Sequence, residues 1–305
     1  MTELLQKLPE VEGKYKFNEP LKKYTWLNVG GPAEVMFFPK DEADLQHFLQ
    51  NKPKELPVFV IGSGSNLLVR DGGLKGVVVK LDTPAFAQWK IDDNALCVGG
   101  GLKNTALKNI LLQNQIGGLE FICSIPGSIG GLVRSNAGCF GGELSNVLLK
   151  ALVIDGRGKI FEVLPEKFNF AYRHSDFPAD WIVLRLYLKT VPAAAEQIAE
   201  IIAKNAAYRQ EHQPQGVRTA GSTFKNPVNG RAWEFIKNAG GCGLHIGGAS
   251  FAEKHCNFML NDGSASAADL ENLGEAVRKR VYEQTGVKLE WEVKVIGEKN
   301  GNAGQ

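Results

Sequence analysis

Gly62-Ser63-Gly64-Ser65-Asn66 follows directly on the apolar run Val58-Phe59-Val60-Ile61, and a second glycine-rich stretch reads Ile125-Pro126-Gly127-Ser128-Ile129-Gly130-Gly131. Loops of this composition let a ligand approach the main chain and expose backbone N–H groups to an anion. Either loop taken alone also reads as an ordinary tight turn. Two of them, both carrying small hydroxyl residues, favour a pyrophosphate held between them.

A Rossmann reading of Gly62-Ser63-Gly64 fails, although Asp82 lies at a suitable distance. Leu67 holds the third glycine position. The following Leu67-Leu68-Val69-Arg70-Asp71-Gly72-Gly73 leaves no room for the required helix before the next strand, Val77-Val78-Val79. No Gly-Lys-Ser/Thr occurs, which excludes a Walker loop.

Working outward, the spacing of Leu102, Ala106, Ile110 and Leu111 predicts a helix over 102–115, ended by Gly117-Gly118. A hairpin is expected from 148–154 and 159–164, turning at Asp155-Gly156, and then a strand over 181–190. Past Thr190 the composition shifts. A helix over 193–209 has Ile198, Ile201 and Ile202 inside, and Ser266 with Asp269 forms a capping box for a helix closed by Gly286. Residues 289–295 read as a strand with Leu289, Trp291, Val293 and Val295 on one face and Glu290, Glu292 and Lys294 on the other. The tail from Glu298 is polar and expected to be disordered.

The chain has 305 residues, 44% of them apolar and 22% charged, with a net charge of +2. That describes a globular protein of two or three domains without a dedicated nucleic-acid surface. No apolar run is long enough to span a bilayer, so membrane insertion is not expected. The start of the chain lacks the pattern of a signal peptide. Five cysteines, an odd number, fit reduced cytoplasmic thiols better than a disulfide framework. Cys242, His245, His255 and Cys256 do not match the usual zinc spacing, so no metal is expected.

Three other segments bear chemistry. Tyr172-Arg173-His174-Ser175 offers a guanidinium that can hold a carboxylate, or simply a surface charge. Gly221-Ser222-Thr223-Phe224-Lys225-Asn226-Pro227 offers a hydroxyl beside a cation and an amide, or a hydroxyl-rich turn. Ser135-Asn136-Ala137-Gly138 is by itself a weak turn signature.

Taken in order, these pieces resemble the UDP-N-acetylenolpyruvoylglucosamine reductase family of flavoenzymes. The resemblance joins Val29-Gly30-Gly31-Pro32-Ala33, both glycine loops, Gly118-Leu119-Glu120-Phe121, Asn136-Ala137-Gly138 and Tyr172-Arg173-His174-Ser175. It continues through the 221–227 segment, His255-Cys256-Asn257-Phe258 and Leu289-Glu290-Trp291-Glu292-Val293, and so runs from about Tyr24 to Gly297. It implies an α+β protein with a two-lobed FAD-binding fold of the vanillyl-alcohol oxidase type and a C-terminal α+β substrate-binding domain. The expected divisions are 1–82 and 83–191 for the two FAD lobes, 192–297 for the substrate domain and 298–305 for the tail. The short stretch between Asn226 and His255 looks like the shorter subclass.

The resemblance further implies bound FAD, NADPH as co-substrate, and UDP-N-acetylenolpyruvoylglucosamine as the acceptor reduced in peptidoglycan precursor synthesis. Its carried-over site has Arg173, Ser222 and Glu292 as catalytic residues, with Ser222 the general acid. Gly62, Ser63, Gly64, Ser65, Asn66, Leu67, Pro126, Gly127, Ser128, Gly130, Gly131, Asn136, Ala137 and Gly138 would bind the cofactor. Tyr172, Lys225 and Asn226 would bind substrate. Asn28, His212 and Gly241-Cys242-Gly243 stand where the family usually carries basic residues, and Trp291 where proline is more usual. A different flavoenzyme on the same scaffold and a non-catalytic nucleotide-binding module are the competing readings.

Overall fold

A computed structural model of the chain describes residues 6–92 and 94–300. The chain forms two compact units, each assembled from separated stretches. One takes the chain up to Phe17, Val35–Ser63 and Gly76–Ala207; the other takes Asn18–Glu34, Gly64–Lys75 and the chain from Tyr208 onward.

In the first unit, the expected strand Val58–Val60 lies parallel to Val77–Val79, at the end of a sheet ordered Lys14–Pro20, Pro32–Phe38, Leu74–Val79, Val58–Val60. The helix Glu42–Asn51, capped by the Asp41 carboxylate, turns Leu45, Phe48 and Leu49 onto Val35, Phe37, Val77 and Val79. Full burial of one such side chain contributes about 1.5–3 kcal/mol. A second sheet is antiparallel throughout, ordered Ile160–Val163, Leu148–Ile154, Ile182–Lys189, Ala95–Gly99, Trp89–Asp92. Leu96, Val98, Leu186 and Leu188 from this sheet pack with Leu107, Ile110, Leu111 and Ile129.

In the second unit, His245–Ile246, Ala249–Phe251 and Met259–Asn261 form a meander. The helix Ala267–Thr285 covers it with Leu270, Leu273, Val277 and Val281, which share a core with Leu27, Leu68, Phe224, Ile236 and Phe251. The expected capping box is present at Ser266 and Asp269, and Gly286 closes the helix at φ +72°. Leu67–Val69 runs parallel to Lys294–Ile296. Leu67 therefore opens a strand, as the rejection of a Rossmann loop requires.

Several expectations change. The helix expected over 102–115 is confined to Leu107–Asn114 after a 3₁₀ turn at Asn104–Ala106. Its start is delayed because Ile129 N–H donates to the Leu102 carbonyl (2.9 Å) and Asn104 N–H to the Gly127 carbonyl (3.0 Å). It ends on Gln115 at φ +52°, not on the glycine pair, because Ile116–Gly117 pairs with Val191–Pro192. Ile201 is 45% exposed, since the buried stripe of its helix passes through Ile198 and Ile202. Regular strand geometry in 289–295 begins only at Lys294, because Glu292 N–H (2.9 Å) and Val293 N–H (3.3 Å) both donate to the Thr223 carbonyl.

The break between the units falls at Ala207/Tyr208, inside the helix Ala195–His212, rather than near residue 190. The second unit also takes 18–34 and 64–75 from the N-terminal half, because Leu27, Val29 and Leu68 belong to its core. Residues 301–305 of the tail lie outside the described residues. Glu298 is ordered: its N–H donates to the Gly73 carbonyl, and its carbonyl accepts from Gly72 N–H, both at 2.9 Å.

The cysteines are corrected as well. Cys242 and Cys256 form a disulfide with Cα atoms 4.9 Å apart, while Cys97, Cys123 and Cys139 are free thiols. Their fourteen-residue separation gives no sign of this proximity. The meander creates it, through Gly243 N–H on the Phe251 carbonyl (3.0 Å). No helix among the described residues is long and apolar enough to cross a membrane.

Candidate active site

The two glycine loops meet at Gly62 and Ser128. A Cβ on Gly62 would meet Ser128 Oγ, so a side chain there would make the serine hydroxyl turn away. Lys80 Nζ donates to the Gly62 carbonyl at 2.9 Å and lies 3.7 Å from the Asp82 carboxylate. Burial pushes the Lys80 ammonium below its ordinary pKa, Asp82 opposes that shift, and Lys103 adds to it.

The second loop is already tied to the protein at three of its N–H groups. Ile129 donates to Leu102, Gly130 to the Gly100 carbonyl (2.8 Å) and Gly131 to the Ser128 carbonyl (2.9 Å). The sequence expectation of freely offered N–H groups is therefore corrected at these three positions. What the loop provides there is close main-chain approach, with Gly127 at φ +147°. Asn104 is fully buried beside this loop; its amide donates to the Ile125 carbonyl (3.0 Å), while its Oδ1 has no partner among the described residues. A buried acceptor without a donor is costly unless a ligand supplies one. That orphan, the close approach of Gly62 to Ser128 and two nearby lysines fit an anionic dinucleotide.

Asn136, Ala137 and Gly138 brace a different turn. Asn136 is buried at φ +43°; its Oδ1 accepts from Ser145 N–H (2.9 Å) and its amide donates to the Ala171 carbonyl (3.3 Å). Ala171 and His174 exchange backbone hydrogen bonds of 3.2 and 3.0 Å, leaving Tyr172 and Arg173 at the tip of the turn. Arg173 holds φ +51° and donates from Nη2 to the Gly138 carbonyl at 2.5 Å. A left-handed arginine is uncommon and is kept only where its surroundings fix it. The side chain is thus a positioned cation and not a loose surface charge.

Ser222 and Glu292 stand on one hydrogen-bonded lattice in the second unit. Gly221, at φ +77°, leads into Ser222, which pairs with Phe258 in an isolated bridge. Thr223 is fully buried, and its carbonyl takes the Glu292 N–H. Phe224 pairs with Trp291, and Lys225 N–H donates to the Glu290 carbonyl at 2.9 Å. Asn66, the last residue of the first glycine loop, donates from Nδ2 to the Glu292 carbonyl at 3.1 Å. The backbone around Ser222, the backbone of Glu292 and the side chain of Asn66 are therefore linked through the Thr223 carbonyl and the Glu292 peptide. Arg173 belongs to the first unit.

The substrate candidates have partners of their own. Lys225 Nζ lies 3.5 Å from the Glu290 carboxylate, and Asn226 Oδ1 accepts from Ala232 N–H at 3.0 Å, which starts the helix Ala232–Asn238. Trp291 Nε1 donates to Glu275 at 2.7 Å, and its ring occupies the space a Cβ on Gly274 would need. Of the positions that usually carry basic residues, Asn28 caps the Lys22 carbonyl (3.1 Å) and His212 stacks on Tyr208 (4.1 Å between ring centres). Sequence reading gave no role to Lys80, Asn104 or Asn257. Asn104, between Lys103 and Thr105, carried no signal in the sequence, whereas Asn257 lay in a motif given no role. No cluster of three or more metal-ligating side chains occurs among the described residues.

The family models give the class of protein, a flavin-dependent oxidoreductase. Residues 33–164 match the FAD binding domain, and residues 213–296 match the C-terminal domain of UDP-N-acetylenolpyruvoylglucosamine reductase. A reductase of that name from Maricaulis maris is 43% identical over 309 residues, covering 99% of this chain and 98% of the relative. Another, from Rickettsia typhi, is 43% identical and covers 95% and 98%. The crystal structure of the reductase from Thermus caldophilus superposes with a TM-score of 0.80 at 32% identity, covering 94% of this chain and 99% of that one. The chain belongs to the UDP-N-acetylenolpyruvoylglucosamine reductase family. Its fold is the FAD-binding fold of the vanillyl-alcohol oxidase type followed by that family's C-terminal α+β domain.

Proposed function

We propose that this chain reduces UDP-N-acetylenolpyruvoylglucosamine to UDP-N-acetylmuramate at the expense of NADPH, in peptidoglycan precursor synthesis. Bound FAD supplies the hydride relay, from NADPH to C3 of the enolpyruvyl group. Hydride arrival at C3 leaves negative charge on C2 and the adjoining carboxylate, so the protein must hold that charge and deliver a proton to C2. The Ser222 hydroxyl delivers the proton and recovers one from solvent. The planar guanidinium of Arg173 neutralises the carboxylate through two parallel hydrogen bonds. Glu292 donates toward the same carboxylate in its protonated form, or interacts with it through a bridging water.

The observation that carries this reading is the Thr223 carbonyl, which sits next to Ser222 and accepts the Glu292 N–H at 2.9 Å. That bond supports a fixed spacing between proton donor and carboxyl. Gly62, Ser63, Gly64, Ser65, Asn66, Leu67, Pro126, Gly127, Ser128, Gly130, Gly131, Asn136, Ala137 and Gly138 are assigned to the cofactor, and Tyr172, Lys225 and Asn226 to the substrate. By family resemblance 1–82 and 83–191 are assigned to the cofactor lobes and 192–297 to the substrate domain, although the compact units break at Ala207/Tyr208 and give 18–34 and 64–75 to the second unit. NADPH and nucleotide sugars are pools of the cell interior, which supports a cytoplasmic location. The Cys242–Cys256 bond points the other way, since cytoplasmic thiols are kept reduced.

The test is anaerobic. FAD-loaded protein is reduced with NADPH and then mixed with UDP-N-acetylenolpyruvoylglucosamine. Accelerated flavin reoxidation with UDP-N-acetylmuramate as product is expected, and reoxidation at the substrate-free rate would refute the proposal.

A further inference from the structure

The motif His255-Cys256-Asn257-Phe258 has no part in the chemistry above, yet its asparagine bonds to both residues that follow Ser222. Asn257 is only 3% exposed. Its Oδ1 accepts from Phe224 N–H at 3.0 Å, and its Nδ2 donates to the Phe224 carbonyl at 2.8 Å. Its own carbonyl accepts from Thr223 N–H at 2.7 Å. Two consecutive residues after Ser222 are thus held by one asparagine, in a region where losing a hydrogen-bond partner leaves a buried group unsatisfied. Thr223 completes the clamp, since its Oγ1 accepts from Met259 N–H at 3.1 Å while its carbonyl receives Glu292.

We infer that Asn257 is a positioning residue for proton delivery: its carboxamide fixes the Phe224 peptide groups and so sets where the Ser222 hydroxyl stands relative to Glu292. The inference rests on the assignment of Ser222 as proton donor. A carboxamide is suited to this task because it presents one donor and one acceptor in a rigid plane, matching the N–H and C=O of a single residue. An aspartate keeps the shape and the acceptor but sets a second oxygen against the Phe224 carbonyl, so the clamp opens on one side. Among the described residues Asn257 bonds to Thr223, Phe224 and His255 and not to the glycine loops, so its effect belongs to the proton-dependent half of the cycle.

The experiment compares Asn257→Asp, Asn257→Ser, Ser222→Ala and the Ser222→Ala/Asn257→Asp double variant in FAD-loaded protein by stopped flow. For Asn257→Asp, flavin reduction by NADPH should stay within about twofold. Reoxidation by the enolpyruvyl substrate should slow about ten- to a hundredfold, with the substrate concentration at half-maximal rate little changed, as expected when a reacting group is displaced by a fraction of an ångström. The double variant should be no slower than Ser222→Ala alone, because a residue that acts through Ser222 has nothing left to position. Asn257→Ser, which keeps a single hydrogen bond in a smaller side chain, should fall between wild type and Asn257→Asp, and it replaces that variant if Asn257→Asp does not fold. Equal slowing of both half-reactions, or additive losses in the double variant, would show a merely structural asparagine and overturn the inference. If Ser222→Ala reoxidises at the wild-type rate, the proton-donor assignment fails and this inference with it. If Ser222→Ala is slow and both Asn257 variants are unaffected, this inference alone fails.

Discussion

Arg173 and Gly64 show how single residues are fixed by local geometry. Arg173 is held at φ +51° by the Ala171–His174 turn and by its bond to Gly138. A lysine there keeps the charge but loses the planar fork. Arg173→Lys is therefore expected to lower the rate of reoxidation by substrate at least tenfold while flavin reduction by NADPH is retained; unchanged reoxidation would remove Arg173 from the carboxylate site. Gly64 sits at φ +64° with the Tyr24 carbonyl where a Cβ would stand, whereas Gly141, at φ +83°, has open space around that position. Both substitutions to alanine carry the left-handed penalty of about 1–2 kcal/mol. Only Gly64→Ala adds a backbone clash, so urea midpoints should fall further for Gly64→Ala than for Gly141→Ala. The glycine pattern was legible in the sequence; which glycine faces a carbonyl and which faces solvent was not, since that depends on chain brought in from elsewhere.

The meander and its covering helix carry the next set of constraints. The Cys242–Cys256 bond closes a loop of fourteen residues, for which chain entropy gives about 3 kcal/mol of stabilisation. Reduction, or a Cys242→Ser/Cys256→Ser double change, should lower the unfolding midpoint by a corresponding amount, measurable as a shift produced by a thiol reductant in the wild type and absent from the double variant. His255 lies next to that bond, and burial depresses its pKa below 6.5, with His212 adding to the shift. The unfolded chain then binds the proton more readily. The stability from a neutral His255 is complete above about pH 6.5 and is lost as the pH falls through the lower folded-state value. His255→Gln should flatten this dependence between pH 7 and 5; an unaltered slope would assign it to other groups. On the helix Ala267–Thr285, Gly274 gives its space to the Trp291 ring. Gly274→Ala should cost about 1–3 kcal/mol through overpacking despite the better helix propensity of alanine. The capping box of this helix was readable because cap chemistry is local. The partial loss of the 289–295 strand was not, because two N–H groups there are taken by the distant Thr223 carbonyl.

At the scale of the whole molecule, binding of FAD to the native state alone links cofactor to stability. At a hundredfold excess over its dissociation constant the ligand adds about 2.7 kcal/mol. Thermal unfolding with and without FAD should show that gain, and a midpoint indifferent to FAD would contradict the cofactor assignment. Because the chain builds two units, calorimetry is expected to depart from a single two-state transition. The sequence by itself determined the family, the cofactor class and the catalytic candidates. These rest on the family resemblance of an ordered set of short contiguous motifs, such as Gly62–Asn66 and Gly221–Pro227, each ambiguous when read alone. The tertiary structure alone decided that Cys242 meets Cys256, that residues 18–34 and 64–75 join the C-terminal core, and that Thr223 bonds to both Asn257 and Glu292. These are pairings between residues far apart in the chain. Hydrophobic burial and backbone hydrogen bonding select them only once the whole chain has folded, and no local pattern records the choice.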